Sequence, residues 1–397
     1  MFRGLMMSTL PKPASLGRSL YEPALDGLRL VAFLSVFLHH LPAFPSSPTL
    51  LTFSQYGWVG VELFFVISSY LFFRLLEAEY AKKGCISARN FFIRRILRIY
   101  PLMILFTIAM MFWFGTFTSD AFLRLWGVAF FADNIIAWFK GYNTAIPTTA
   151  HLWTLSFEFQ VYLLIPFAFL LWKRIGNARF LAVLATVYAL CLATRLTVTY
   201  LGAPHPVVWV TPFLQPESVL IGIILAIGAF DRVPAWVFAG TFLVAGGLFT
   251  SHPPPWASTS AAAISYPLAA IMCVSLIETV RRTTILRAIF SLPVVVFLGT
   301  ISFGLYVFHL FGIYSAQIIF THLGWPLNVT EDFGIYWAYA AVAFAVTSAL
   351  SAISYAGFEK PFLRLKDRFA TVHGRVIDSS IPELQKEDQR SVAEAQP

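Results

Sequence analysis

The chain has 397 residues, of which 58% are hydrophobic, 17% aromatic and only 12% charged, with a formal net charge of +8. Soluble domains carry about 25% charged residues, so this density cannot coat a water-soluble surface of such size, and forty Phe with eleven Trp exclude a disordered chain. The mean hydropathy of +0.72 points to an all-α polytopic membrane protein, and the surplus of Lys and Arg then reads as charge held at the cytoplasmic face, not as a nucleic-acid surface.

Residues 1–20 are polar and read as a cytoplasmic N-terminal segment; the first apolar run begins at Leu28. No small-residue cleavage site follows that run, so an uncleaved start-transfer helix is expected in place of a signal peptide. A spanning helix needs about 17–25 largely apolar residues. Eleven stretches qualify: 26–44, 58–76, 99–117, 121–139, 152–172, 180–200, 207–229, 234–250, 260–279, 293–320 and 335–358. The segment 74–98 carries Arg74, Lys82, Lys83, Arg89, Arg94, Arg95 and Arg98 and is cytoplasmic by the positive-inside rule, as are Lys173–Arg174, Arg281–Arg282 and the Lys360–Arg368 region. Only an even number of crossings fits between Asp120, outside, and the helix that ends inside at Lys173. The lone candidate there, 121–139, carries Arg124, Asp133 and Asn134 and is expected to be re-entrant or interfacial. About ten transmembrane helices remain in a membrane domain spanning 21–368, with both termini cytoplasmic. A polar tail over 369–397 is expected to be disordered, and no soluble domain is expected beside it. Cys85, Cys191 and Cys273 are scattered without redox or metal spacing, and no HExxH, Walker loop or nucleotide-fold glycine fingerprint occurs, so no metal site is expected.

Ionisable residues inside a span are costly and mark candidate sites. Counting helix rise, Arg29 lies at the inner end of the first helix and His40 lies about 16 Å further out. Glu158 lies about 9 Å deep from the outer side, Glu62 about one turn in, and His309 about 24 Å up from the inner end of its helix. Arg95 and Arg98, spaced i, i+3, share a face, and guanidinium forks suit phosphate oxygens. This charge pattern fits a protein that takes a phosphorylated donor from the cytosol and acts at the far face. Plainer readings stand beside it: the arginines as topology signals, His40 and His309 as packing histidines, Glu62 and Glu158 as partners of Arg124 or another buried cation, Asp26 as the N-cap of the first helix paired with Arg29, and Glu359 as a helix-end ion pair. A proton-coupled transporter or flippase of a glycan or lipid precursor is the competing functional class.

The blocks YEPALDGLRLVAFLSVFLHH, GVELFFVISSYL, FFIRRILRIYPL, HLWTLSFEFQVYLL, ISFGLYVFHL and GFEKPFLRL, in that order over residues 22–365, together resemble the membrane acyltransferase-3 family. The resemblance implies an integral O-acyltransferase of a bacterial plasma (inner) membrane. Such enzymes move an acyl group, commonly acetyl from acetyl-CoA, onto extracytoplasmic glycans and sometimes onto macrolides or lipids. The family's Arg-x10-His falls on Arg29 and His40, its Arg-x-x-Arg on Arg95 and Arg98, and the first glutamate of its W-S-x-S-x-E-E block on Glu158. The second glutamate is Phe159, and the Gly-Phe of the second block is Ser69-Tyr70. The resemblance therefore implies acyl-CoA as donor; its phosphates are expected on Arg95 and Arg98 with Arg29 beside them, His40 is expected as general base or transient acyl carrier, and Glu158, at similar depth on another helix, is expected to orient the imidazole or stabilise its protonated form. The implied partners are a glycan or glycolipid acceptor and membrane lipid. Many family members carry a fused hydrolase-like external domain; none is recognised here, so transfer is expected to finish in the membrane domain or with a separate partner.

Overall fold

The computed structural model describes residues 21–141 and 145–372, and every regular element in them is helical. The segment 1–20 and the expected tail beyond 372 lie outside the described residues. In chain order the helices are α1 (Pro23–His40), α2 (Pro48–Tyr56), α3 (Val59–Lys83), α4 (Ala88–Phe114), α5 (Ser119–Ala129), α6 (Asp133–Lys140), α7 (Trp153–Ile175) and α8 (Asn177–Tyr200). There follow α9 (Glu217–Ala226), α10 (Ala235–Ser251), α11 (Thr259–Arg282), α12 (Thr284–Phe290), α13 (Pro293–Thr300), α14 (Ser302–His322), α15 (Phe333–Ser354) and α16 (Lys360–Asp367). Local chemistry sets several starts. Ser47, Ser87, Thr118, Ser258 and Asp332 each accept a hydrogen bond from the amide three residues on, which supplies a partner to a helix terminus that otherwise lacks one.

By length and composition, seven helical stretches among the described residues are long and apolar enough to cross a membrane: α3, α4, α7 with its leading 3₁₀ turn, α8, α11, α14 and α15 continued into α16. The other three expected spans fall on shorter helices, α1 with 18 residues, α9 with 10 and α10 with 17. Length and composition thus support seven candidate spans and do not establish the other three of the expected ten. No continuous helix covers 121–139. It is divided between α5 and α6, which meet at a turn where Phe131 has a φ of 53°. A buried ion pair, Arg124 to Asp133 at 2.8 Å, pins the two together. The expected span 293–320 is likewise broken, after Thr300, into α13 and α14. Phe112, Trp113, Leu164, Phe167, Leu190, Leu243 and Val244 stand exposed, apolar surface of the kind a membrane covers.

The first helix runs through the core, with Leu28, Ala32 and Phe33 fully buried, packed against α3 and α13 and flanked by α2, α12 and α14. Two glycines permit that packing. A Cβ on Gly60 would lie 2.1 Å from the Ala32 carbonyl oxygen, and one on Gly299 would lie 1.9 Å from that of Asp26. Small residues at such crossings let backbones touch where the hydrophobic effect gives little help. The basic segments gather at one end of the bundle. Arg281 bonds Glu22 at 2.7 Å, Arg94 bonds the Phe369 carbonyl at 2.6 Å, and Lys83 bonds Thr371 at 2.9 Å. Helix α1 begins at this basic end and finishes at the opposite one with His39 and His40. Asp26, expected as its N-cap, sits inside the first turn instead, because the helix already starts at Pro23; its carboxylate takes Arg29 and the Tyr21 hydroxyl.

Candidate functional site

At the basic end, α1, α3, α4 and α16 enclose a cavity lined by Arg29, Arg74, Arg94, Arg95, Arg98 and Lys366. Most of these cations are already engaged. Arg29 pairs with Asp26, Arg74 with Glu77 at 3.1 Å, Lys366 with Asp367 at 3.7 Å, and Arg94 with Glu79 at 3.6 Å besides the Phe369 carbonyl. Among the described residues Arg95 and Arg98 form no ion pair. The Arg95 guanidinium lies over the Phe72 ring at 4.0 Å, with its buried Nε lacking a hydrogen-bond partner. A guanidinium offers five donors and no acceptor, so these two residues hold unspent donors facing a cavity, an arrangement suited to phosphate oxygens. Glu359, expected in a helix-end ion pair, instead accepts from Ser354 at 3.0 Å and turns toward this cavity, because a π-helical turn over Tyr355–Glu359 rotates it inward.

A second cavity adjoins the first, the two sharing Arg29, Phe72, Arg95, Arg98 and Phe303 as walls. Its walls are largely apolar, with Phe64, Phe65 and Ile99, plus a polar strip of Ser68, Glu158 and Tyr162. The Glu158 carboxylate accepts from the Ser68 hydroxyl at 3.0 Å and from the Tyr162 hydroxyl. The lining reaches Thr154 and Tyr306, whose hydroxyls are bonded to each other at 2.7 Å, and it includes none of the histidines.

Beyond that hydroxyl pair lies a file of imidazoles. His40, at the end of α1, is exposed, whereas His309 and His151 are buried. The His40 Nδ1 lies 2.9 Å from the Val36 carbonyl and 3.3 Å from His309 Nε2, and the His309 Nδ1 lies 2.6 Å from the Tyr306 carbonyl. A carbonyl only accepts, so both Nδ1 atoms carry the proton in the neutral rings. His309 Nε2 is then an acceptor for His40 Nδ1–H, and His40 Nε2 keeps an unprotonated lone pair. That is the tautomer a general base needs. His39, next in sequence, is spent on the Ser54 carbonyl at 2.6 Å.

The structure therefore brings Arg29, Arg95 and Arg98 together as the sequence predicts and places Glu158 with them. The expectation that Glu158 orients His40 is corrected: the partner of His40 is His309. The cause is depth along α7, where Glu158 lies seven residues, about 10 Å, from the His151 level at which the imidazoles meet. His309, read beside a helix end, lies in the file and not in mere packing. Glu62 and Glu158 do not pair with Arg124, whose carboxylate is Asp133. Glu62 sits apart in a buried group with Ser218, Glu217 and Arg195, the last two 2.6 Å apart. Three participants were missed: His151, Tyr306 and Tyr162. His151 immediately precedes the expected span 152–172 and so reads as a loop residue; the signal that would have found it is the Tyr306–His309 spacing of three, which puts both on one helix face opposite it.

A family model described as an acyltransferase domain matches residues 22–356. The chain is similar to YrhL of Bacillus subtilis, named as a candidate peptidoglycan O-acetyltransferase, with 28% identity over 86% of this chain and 55% of that protein. It is 26% identical to a Staphylococcus aureus protein named as a candidate O-acetyltransferase, over 86% of this chain and 57% of the other. It is also 26% identical to the peptidoglycan O-acetyltransferase OatA of Listeria monocytogenes, over 73% of this chain and 49% of that protein. The chain thus spans about half the length of the curated relatives it matches. No solved structure matches it.

Proposed function

The chain belongs to the acyltransferase-3 family, and from that premise we propose that it is an integral membrane O-acetyltransferase of a bacterial plasma membrane, taking its acyl group from cytosolic acetyl-CoA and delivering it to a hydroxyl of an extracytoplasmic glycan. The observation that carries this reading is the succession of the two adjoining cavities, from unpaired guanidinium groups at one end to Thr154 and Tyr306, with the His309–His40 pair just beyond. The donor's phosphates sit on Arg95 and Arg98, with Arg29 contributing once Asp26 yields part of its hold. The thin pantetheine arm runs along the apolar second cavity past Ser68 and Glu158. Binding-site charge at one end and a narrow apolar passage at the other match an anionic head on a long neutral arm.

In the transfer, the acceptor hydroxyl approaches His40 from its exposed side. His40 Nε2 takes the hydroxyl proton as the oxygen attacks the thioester carbonyl; the C–O bond forms, the C–S bond breaks, and the departing thiolate recovers that proton. Such a base contributes about 10²–10⁴-fold. Through Nδ1–H, His309 Nε2 shares the positive charge that appears on His40. The hydroxyl pair of Thr154 and Tyr306 must part for the thioester to meet the imidazole.

The test is mass spectrometry of cell-envelope glycans from cells carrying the wild-type chain, His40→Ala, or none. The acetyl increment appears only with the wild-type chain. Acetylation undiminished in His40→Ala overturns the assignment. Thermal stabilisation of the purified protein by CoA, with no response to candidate transported solutes, separates this reading from a transporter.

A further inference from the structure

The mechanism above leaves one imidazole without a task. His151 is 3% exposed and begins the turn that leads into α7. Its Nε2 lies 3.1 Å from the Val307 carbonyl, so that nitrogen carries the proton. The lone pair is then on Nδ1, which is buried and has no hydrogen-bond partner among the described residues. An unpaired buried acceptor costs about 1–3 kcal/mol, and native structures retain few of them. The ring centroid of His151 is 4.7 Å from that of His309, which is 4.9 Å from that of His40. Tyr306, whose hydroxyl helps close the second cavity, packs at 5.2 Å from His151 and donates to its carbonyl at 3.3 Å. His151 thus occupies the point where the donor passage and the imidazole file meet.

We propose that His151 is a positioning residue for acyl transfer. It holds the His309 ring in the orientation that presents Nε2 to His40, and its unpaired Nδ1 supplies a fixed negative dipole end beside the positive charge that spreads over His40 and His309. This deepens the acetyltransferase reading and rests on it. A preorganised dipole aimed at developing charge is effective in a dry site because it needs no reorientation during the reaction. The orphaned nitrogen is then unpaired in the resting protein because its partner is a charge that exists only during transfer.

The test uses the full chain in proteoliposomes, with acetyl-CoA as donor and muropeptides as acceptor, and reads kcat and KM for His151→Phe, His151→Gln and His151→Asn. Phe keeps the ring shape without nitrogens. Gln keeps an N–H for the Val307 carbonyl without an acceptor at the δ position, and Asn keeps an acceptor there. The expected result is a fall in kcat of about tenfold or more for Phe and Gln, with KM for acetyl-CoA unchanged and partial recovery in Asn. Full kcat in His151→Phe overturns the proposal, and so does recovery in Gln but not in Asn, which would leave only the structural bond to Val307. If the Phe variant does not fold, judged by loss of stabilisation by CoA, the Gln and Asn pair decides. His40→Ala serves as the reference: full activity in that variant refutes the acetyltransferase mechanism itself, a failure distinct from that of His151.

Discussion

On the proposed reading the arginine block separates donor binding from architecture, and Arg98→Ala is the sharpest probe of that division. Arg98 lines both cavities and forms no ion pair among the described residues, so its removal breaks no salt bridge. What is lost is a charge-assisted bond to phosphate, about 1.5–3 kcal/mol, or about 10- to 150-fold in the Kd for CoA. The assay is thermal unfolding in detergent at fixed CoA. At a concentration 100 times the wild-type Kd, ligand adds about 2.7 kcal/mol to the native state, and a variant weakened 100-fold keeps about 0.4 kcal/mol of it. Arg94→Ala is the contrast. Arg94 pairs with buried Glu79 and ties down the Phe369 carbonyl, so its loss costs about 3 kcal/mol of intrinsic stability and leaves CoA affinity nearly unchanged. The reasoning fails if Arg98→Ala keeps wild-type affinity, or if Arg94→Ala weakens CoA binding while unfolding normally.

Three further outcomes follow from the same geometry. Asp133→Ala strands Arg124 in the core and lowers stability by about 3–5 kcal/mol, whereas the double change Arg124→Met/Asp133→Leu recovers most of it; unfolding midpoints in mixed micelles read this, and a single-variant loss below about 1 kcal/mol contradicts the pair's role. His309→Phe, which places a ring beside Phe33, 6.3 Å from His309, removes the side-chain acceptor of His40 Nδ1–H, leaves only the Val36 carbonyl, and lowers the transfer rate by about tenfold with donor affinity intact; an unchanged rate removes His309 from the mechanism. Gly299→Ala forces α13 away from α1, since its Cβ would meet the Asp26 carbonyl oxygen at 1.9 Å; a destabilisation of about 1–3 kcal/mol is expected, and normal expression with unaltered CoA affinity would show that this crossing does not position Arg29.

The features legible in the sequence were those with a local signature. Runs of apolar residues marked the helices, basic clusters marked one end of the bundle, and the i, i+3 spacing of Arg95 and Arg98 put both on one wall of the basic cavity. The features missed depend on contacts across the chain. His40 and His309 are 269 residues apart, and nothing near either one announces the other. Glu158 and His40 have similar depth when counted from helix ends, yet different helices reach the centre at different heights, and the carboxylate settles beside Ser68 and Tyr162. The break after Thr300 and the division of 121–139 are also set by neighbours: Gly299 pressed onto α1, and the Arg124–Asp133 pair joining α5 to α6. His151 escaped because a residue at the first turn of a span has no periodic neighbours of its own.

The central claim is vectorial: a donor held by Arg95 and Arg98 on one side of the membrane, and an acceptor deprotonated by His40 on the other. The direct measurement is transfer of labelled acetyl in proteoliposomes of uniform orientation, with acetyl-CoA confined to the face bearing the arginine cavity and muropeptides to the opposite face. The account predicts labelled acetyl ester on the muropeptides with the wild-type chain and none with His40→Ala. Transfer that occurs only when donor and acceptor share one compartment, or that survives in His40→Ala, contradicts it.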